Sequence, residues 1–188
     1  MPSRSGGCSC SAGPTRTTAR RCTTLRNLLW WAVVHDQRDR VILLATHGVD
    51  IELPLTEQRA GLAGHRTPAE EALVNGHPEV AALLLRLGAG TPRLSPHDAF
   101  VAAALAGDAA GVSRTGPAVI AAVREARPGL ITWAASQGAP GAVELLAGVG
   151  FDLHYQSTPL GWARHFGHQP LIDLLSRQPG AVPDDPPR

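Results

Sequence analysis

The sequence predicts an all-α fold, a helical repeat solenoid of about five helix pairs with the third pair irregular. Three observations predict it. The stretch Thr67 to Gly88 carries a full set of start and stop signals for two short helices, and weaker copies of the same spelling surround it. Each copy is too small to bury its own apolar stripe, so neighbours must stack. Aromatic residues make up only 4% of the chain while alanine and leucine abound, which suits small helices packed closely rather than a layered β-sandwich.

In that stretch Thr67 is suited to cap a helix N-terminus, Pro68 fits the first helical position, and Glu70 and Glu71 sit favourably in the positive first turn. Asn75-Gly76 is a left-handed stop signal, and Pro78 begins the next helix rather than continuing the first. In the second helix Val80, Leu83, Leu84 and Leu87 recur at spacings of three and four, making one apolar stripe that Gly88 ends.

Residues 1–24 are rich in Ser, Thr, Gly and Arg and nearly free of large apolar side chains, so they read as a disordered leader. The solenoid is expected over residues 25–178. Its first pair, Asn27 to Gly48, opens without a Thr-Pro signal on the apolar run Leu28-Leu29-Trp30-Trp31. Between Gly48 and Thr67 the connection is long, and Leu53, Leu55 and Leu62 are suited to cover the solenoid edge. The third pair starts near Asp98 and departs from the pattern after Gly107-Asp108, where Gly111 and Gly116-Pro117 cut its second helix short. A new helix is expected from Pro117 to Ala126, started by its proline, carrying Val119, Ile120 and Val123 at helical spacing, and stopped by Pro128. The fourth pair, Gly129 to Gly150, and the fifth, which begins at Thr158-Pro159-Leu160, are joined by a short hairpin. Residues 179–188, GAVPDDPPR after Pro179, read as a disordered Pro-rich tail.

The copies begin at residues 27, 67, 98, 129 and 158, giving periods of 40, 31, 31 and 29. Together with the Thr-Pro openings and the Gly-His turns at Gly76-His77 and Gly167-His168, this spelling resembles the ankyrin repeat, a unit of about 33 residues with two helices and a β-turn. One departure is general: the turn histidine of that family is replaced by Trp30, Glu70, Val101, Thr132 and Gly161. The bonds that histidine makes between adjacent turns are therefore not expected, and stability should be marginal. The resemblance assigns His77 and His168 to the inter-helix turn, bonded to backbone.

It also implies a function: a non-catalytic protein–protein interaction module that binds another protein across a concave face and the hairpin tips. The slots facing that groove would be Val34 and His35, Val74 and Asn75, Leu105 and Ala106, Ser136 and Gln137, and His165 and Phe166. The tips would add His65-Arg66, Arg93, Tyr155 and Gln156. The partner-binding residues expected are thus His35, Asn75, Arg93, Gln137, Tyr155, Gln156, His165 and Phe166. Trp31, Trp133 and Trp162 share one position in three repeats and read as a packing column.

Composition narrows the classes further. The net charge of +1 hides a leader with five arginines and no acid up to Arg26, and a remainder of 12 arginines against 16 acids. A mildly acidic solenoid argues against a nucleic-acid partner, which needs a basic stripe. All 17 basic residues are arginine, the mark of a GC-rich genome and a bacterial source. Three cysteines confined to the leader, Cys8, Cys10 and Cys22, are not a disulfide framework and match no usual zinc spacing, even with His35. No apolar run approaches the ~18 residues that span a bilayer. The expectation is a cytoplasmic monomer without metal or cofactor. No nucleophile, phosphate loop or two-His ligand pair is present, so no catalytic residues are assigned. Two other classes stay open. One is an accessory subunit that caps a larger complex through Leu28 and Trp30; the other is a metal-dependent sensor or enzyme with a site in the third repeat or the leader.

Overall fold

The computed structural model describes residues 16–52, 66–153 and 159–177, with side chains from Thr24 onward. Among these residues the protein is all-α, with eleven helices and no sheet. The helices are α1 (Arg16–Val34), α2 (Arg38–Thr46), α3 (Pro68–Val74), α4 (Pro78–Arg86), α5 (Pro96–Leu105), α6 (Ala109–Arg114), α7 (Pro117–Ala126), α8 (Leu130–Ser136), α9 (Pro140–Gly148), α10 (Pro159–His165) and α11 (Gln169–Ser176). They pack in sequential pairs: α1 with α2, α3 with α4, α5 with α6 and also α7, α8 with α9, and α10 with α11. None of them is long and apolar enough to cross a membrane.

The pairs share one turn, repeated in detail. After the first helix of each pair, the backbone N–H of Gln37, His77, Asp108, Ala139 or His168 donates to a carbonyl five residues back, and that carbonyl belongs to an alanine every time: Ala32, Ala72, Ala103, Ala134, Ala163. The residue between is left-handed at Asp36, Gly76, Gly107, Gly138 and Gly167. This is the helix-ending arrangement that requires positive φ, which glycine adopts without Cβ strain and aspartate tolerates. The alanines recur at separations of 40, 31, 31 and 29 residues, the same register as the sequence repeats. The second helices of the first, second and fourth pairs end alike, with Val49, Ala89 and Phe151 donating to Leu44, Leu84 and Leu146 past a left-handed Gly48, Gly88 or Gly150.

The chain divides into two compact units, Met1–Arg93 and Leu94–Arg188. In the first, α1 packs on α3 and α2 on α4. Leu29, Ala32, Val33, Val41, Leu44, Val49, Ala72, Val80 and Leu84 belong to one buried cluster. Small alanines, Ala32, Ala69, Ala72 and Ala81, sit in this core, and Leu44, Leu83 and Leu84 of α2 and α4 fill it. A polar frame surrounds this core. Thr67 accepts from Glu70 N while Glu70 Oε2 accepts from Thr67 N at 2.9 Å, a reciprocal capping box. The other oxygen of Glu70 accepts from Arg93 N at 2.9 Å. Glu70 takes the position where the resemblance would put a turn histidine, and it makes a bond to Arg93 N that was not expected there. Glu52 likewise accepts from Gly90 N.

In the second unit α8 packs on α10, α9 on α11, and α5 on α7 and α9. Phe100 of α5 is fully buried and stacks on Phe151, with ring centroids 6.4 Å apart. Helix α7 spans the residues the sequence predicts, Pro117 to Ala126, and seats Val123 in the core.

Two expectations change. Helix α1 begins at Arg16, so residues 16–24 are helical rather than a disordered leader; threonine and arginine there continue a helix that the buried Leu29, Ala32 and Val33 anchor from its far end. Gly111 does not cut α6. It lies inside that helix, where a Cβ would sit 2.8 Å from Ala103 Cβ, so the glycine is what lets α6 lie close on α5. Residues 1–15, the linker leucines Leu53, Leu55 and Leu62, His65 and the tail 179–188 lie outside the described residues.

Candidate functional site

Helices α8 and α10 of the second unit, packed on each other, carry the most developed surface group. Phe166 follows α10 directly, and its N–H donates to Trp162 O at 3.0 Å, one helical turn back. That spacing puts the two side chains on the same face, where their rings stack with centroids 5.6 Å apart and planes 15° from parallel. His165 meets the edge of both rings, at 5.9 Å from Trp162 and 4.9 Å from Phe166. Phe166 is nevertheless 51% exposed.

His168 ties this group to the neighbouring pair. Its ring lies 6.0 Å from that of Phe166, and its Nε2 lies 3.0 Å from Ser136 O at the end of α8. A carbonyl oxygen only accepts, so Nε2 carries the proton. The ring rests on Gly138, where a Cβ would come within 2.6 Å of Nδ1. Glycine is therefore doubly required at 138, by its positive φ and by the histidine seated on it. The outcome is a shelf of Trp162, His165 and Phe166, backed by His168. Neither α8 nor α10 carries an acidic residue. Stacking and apolar contact with an incoming side chain are what such a surface can do.

The same pair of positions one turn apart recurs in the other repeats with different occupants. In the first it holds Trp31 and His35, with rings 4.5 Å apart and the Arg40 guanidinium 5.4 Å from the Trp31 ring centroid. In the second it holds Glu71 and Asn75, in the third Ala102 and Ala106, and in the fourth Trp133 and Gln137.

The groove slots expected from the sequence separate accordingly. Val34, Val74 and Leu105 are buried, because the inward-facing side of each first helix reaches them. Asn75 is also buried, 9% exposed, with its amide donating to Glu71 O at 2.8 Å and to Glu71 Oε1 at 3.0 Å. Glu71 in turn pairs with Arg66 at 3.6 Å, so Asn75 belongs to a closed polar group rather than a reading surface. His35, Gln137, His165 and Phe166 are exposed as expected, and Arg93 is exposed with its backbone held by Glu70. Tyr155 and Gln156 lie outside the described residues. The Trp column divides too: Trp133 and Trp162 are half-buried, whereas Trp31 is 40% exposed. The stacking of Trp162 on Phe166 was not anticipated, although their spacing of four on a helix was the available signal.

Electrostatics contribute little chemistry. Arg38 is raised above its ordinary pKa by its hydrogen bond to Asp36 and then by that carboxylate's charge. Among the described residues no three His, Cys, Asp or Glu side chains converge. Cys8 and Cys10 lie outside the described residues, and Cys22 falls on a part of α1 whose side chains are not described. Compared with known proteins by sequence, the chain matches no family model and no curated protein.

Proposed function

We propose that this protein is a non-catalytic interaction module built from ankyrin-type repeats, which binds a partner protein on the shelf formed by Trp162, His165 and Phe166. The repeat assignment is supported by five identical turn arrangements in the register of the sequence repeats and by His77 and His168, each bonded to the backbone of the preceding pair. The observation that carries the binding reading is Phe166: a large aromatic ring, half exposed, stacked on Trp162 and braced through His168 onto α8. A ring held this way costs little conformational entropy on binding, which is what makes an aromatic anchor effective.

Photo-crosslinking tests it. A benzophenone amino acid at position 166 should yield a discrete adduct with a partner in cells, while the same group at Glu144, exposed on the second helix of its pair, should not. Adducts from both positions, or from neither, would remove the shelf as the binding surface.

A further inference from the structure

The repeats serve as controls for one another, and they single out the outer face of the first pair. Leu28 corresponds to Pro68, Leu130 and Pro159, which are buried, and to Ala99, which is exposed in the pair that opens the second unit; Leu28 is 45% exposed. Leu43 corresponds to Leu83, which is 8% exposed, and to Leu145 and Leu174, which are partly buried; Leu43 is 55% exposed. Between them, Arg40 takes the position held by Val80, Ala142 and Leu171, all buried. In the second, fourth and fifth pairs, each of which follows another pair in its own unit, these positions are buried or partly buried. No described helix precedes α1, so here they are bare. Of the seven large hydrophobics exposed among the described residues, four lie on this pair.

The charges identify the occupant. Arg40 has no acidic partner among the described residues and rests its guanidinium over Trp31. Its chain neighbour Asp39 is exposed and makes no ion pair or side-chain hydrogen bond there either. Adjacent residues on a helix diverge by about 100°, so the two do not pair with each other. The face therefore offers one cation and one anion without ion-pair partners among the described residues, together with two half-exposed leucines, a set complementary to itself under a two-fold axis.

We infer that the outer face of α1 and α2 is a homodimer interface, in which Leu28 and Leu43 pack across a two-fold axis and Arg40 of each copy meets Asp39 of the other. The experiment is sedimentation velocity on the full chain from low micromolar to several hundred micromolar. A concentration-dependent dimer is expected. Leu43→Glu should abolish it without changing the helical circular dichroism, because that side chain is 55% exposed and is not part of the buried core cluster. Arg40→Asp and Asp39→Arg should each weaken dimerisation by about tenfold or more, and the two together in one chain should restore it. A monomer at every concentration overturns the inference. So does a dimer indifferent to Leu43→Glu, or charge reversals that fail to compensate. Thiol labelling of a Leu43→Cys variant identifies the failure: slow labelling of a monomer means the chain's own N-terminal segment covers the face, and fast labelling means nothing does.

Discussion

His77 Nε2 lies 2.8 Å from the carbonyl oxygen of Val34, a residue 43 positions earlier. His168 makes the same contact to Ser136, so one polar bond spans neighbouring pairs in each unit. His77 is 7% exposed, and its removal strands the Val34 carbonyl away from water. His77→Ala should therefore cost about 1–3 kcal/mol, and His168→Ala less, because its half-buried site admits water. Urea midpoints of the two variants measure the difference.

Glu70 is asked to do two jobs, closing the capping box with Thr67 and holding Arg93 N. Thr67→Ala should cost about 1 kcal/mol. Glu70→Ala should cost more, since it releases two backbone donors, while Glu70→Gln keeps an acceptor and should lose only part of that. In a double-mutant cycle the Thr67→Ala and Glu70→Ala effects should be non-additive, because they break one reciprocal motif. Additive losses would show that the box contributes nothing as a unit.

Neighbouring leucines on α4 should behave oppositely. Leu84 is fully buried and Leu85 is 41% exposed. Leu84→Ala should destabilise by about 2–5 kcal/mol through the cavity it leaves, and Leu85→Ala by no more than about 0.5 kcal/mol. Similar urea midpoints for both would contradict the packing of the first unit.

Three glycines should respond in three ways. Gly107 has positive φ and open space around it, so Gly107→Ala should cost about 1–2 kcal/mol of backbone strain. Gly138 has the same backbone but would drive its Cβ into the His168 ring, so Gly138→Ala should cost about 1 kcal/mol more by also breaking the bond to Ser136. Gly141 lies inside α9 with nothing near its missing Cβ, and Gly141→Ala should stabilise by about 0.5–1 kcal/mol. Thermal or urea unfolding of the three variants orders them.

By itself the sequence determined where many of the helices begin and end, though not the start of α1. Prolines at 68, 78, 117 and 159 each open a helix, and Gly76, Gly107, Gly138 and Gly167 each close a turn in the left-handed region, because caps and breakers act through bonds and sterics within a few residues. The repeat register followed from the same local signals. Tertiary structure alone decided which of those positions face water. Asn75 and Phe166 occupy equivalent places in two repeats, yet Asn75 closes on Glu71 while Phe166 stacks outward on Trp162. Leu28 and Pro68 are likewise equivalent, yet only Pro68 has a pair packed against it. Exposure depends on what the neighbouring pair supplies, and no spacing within a single repeat encodes its neighbour.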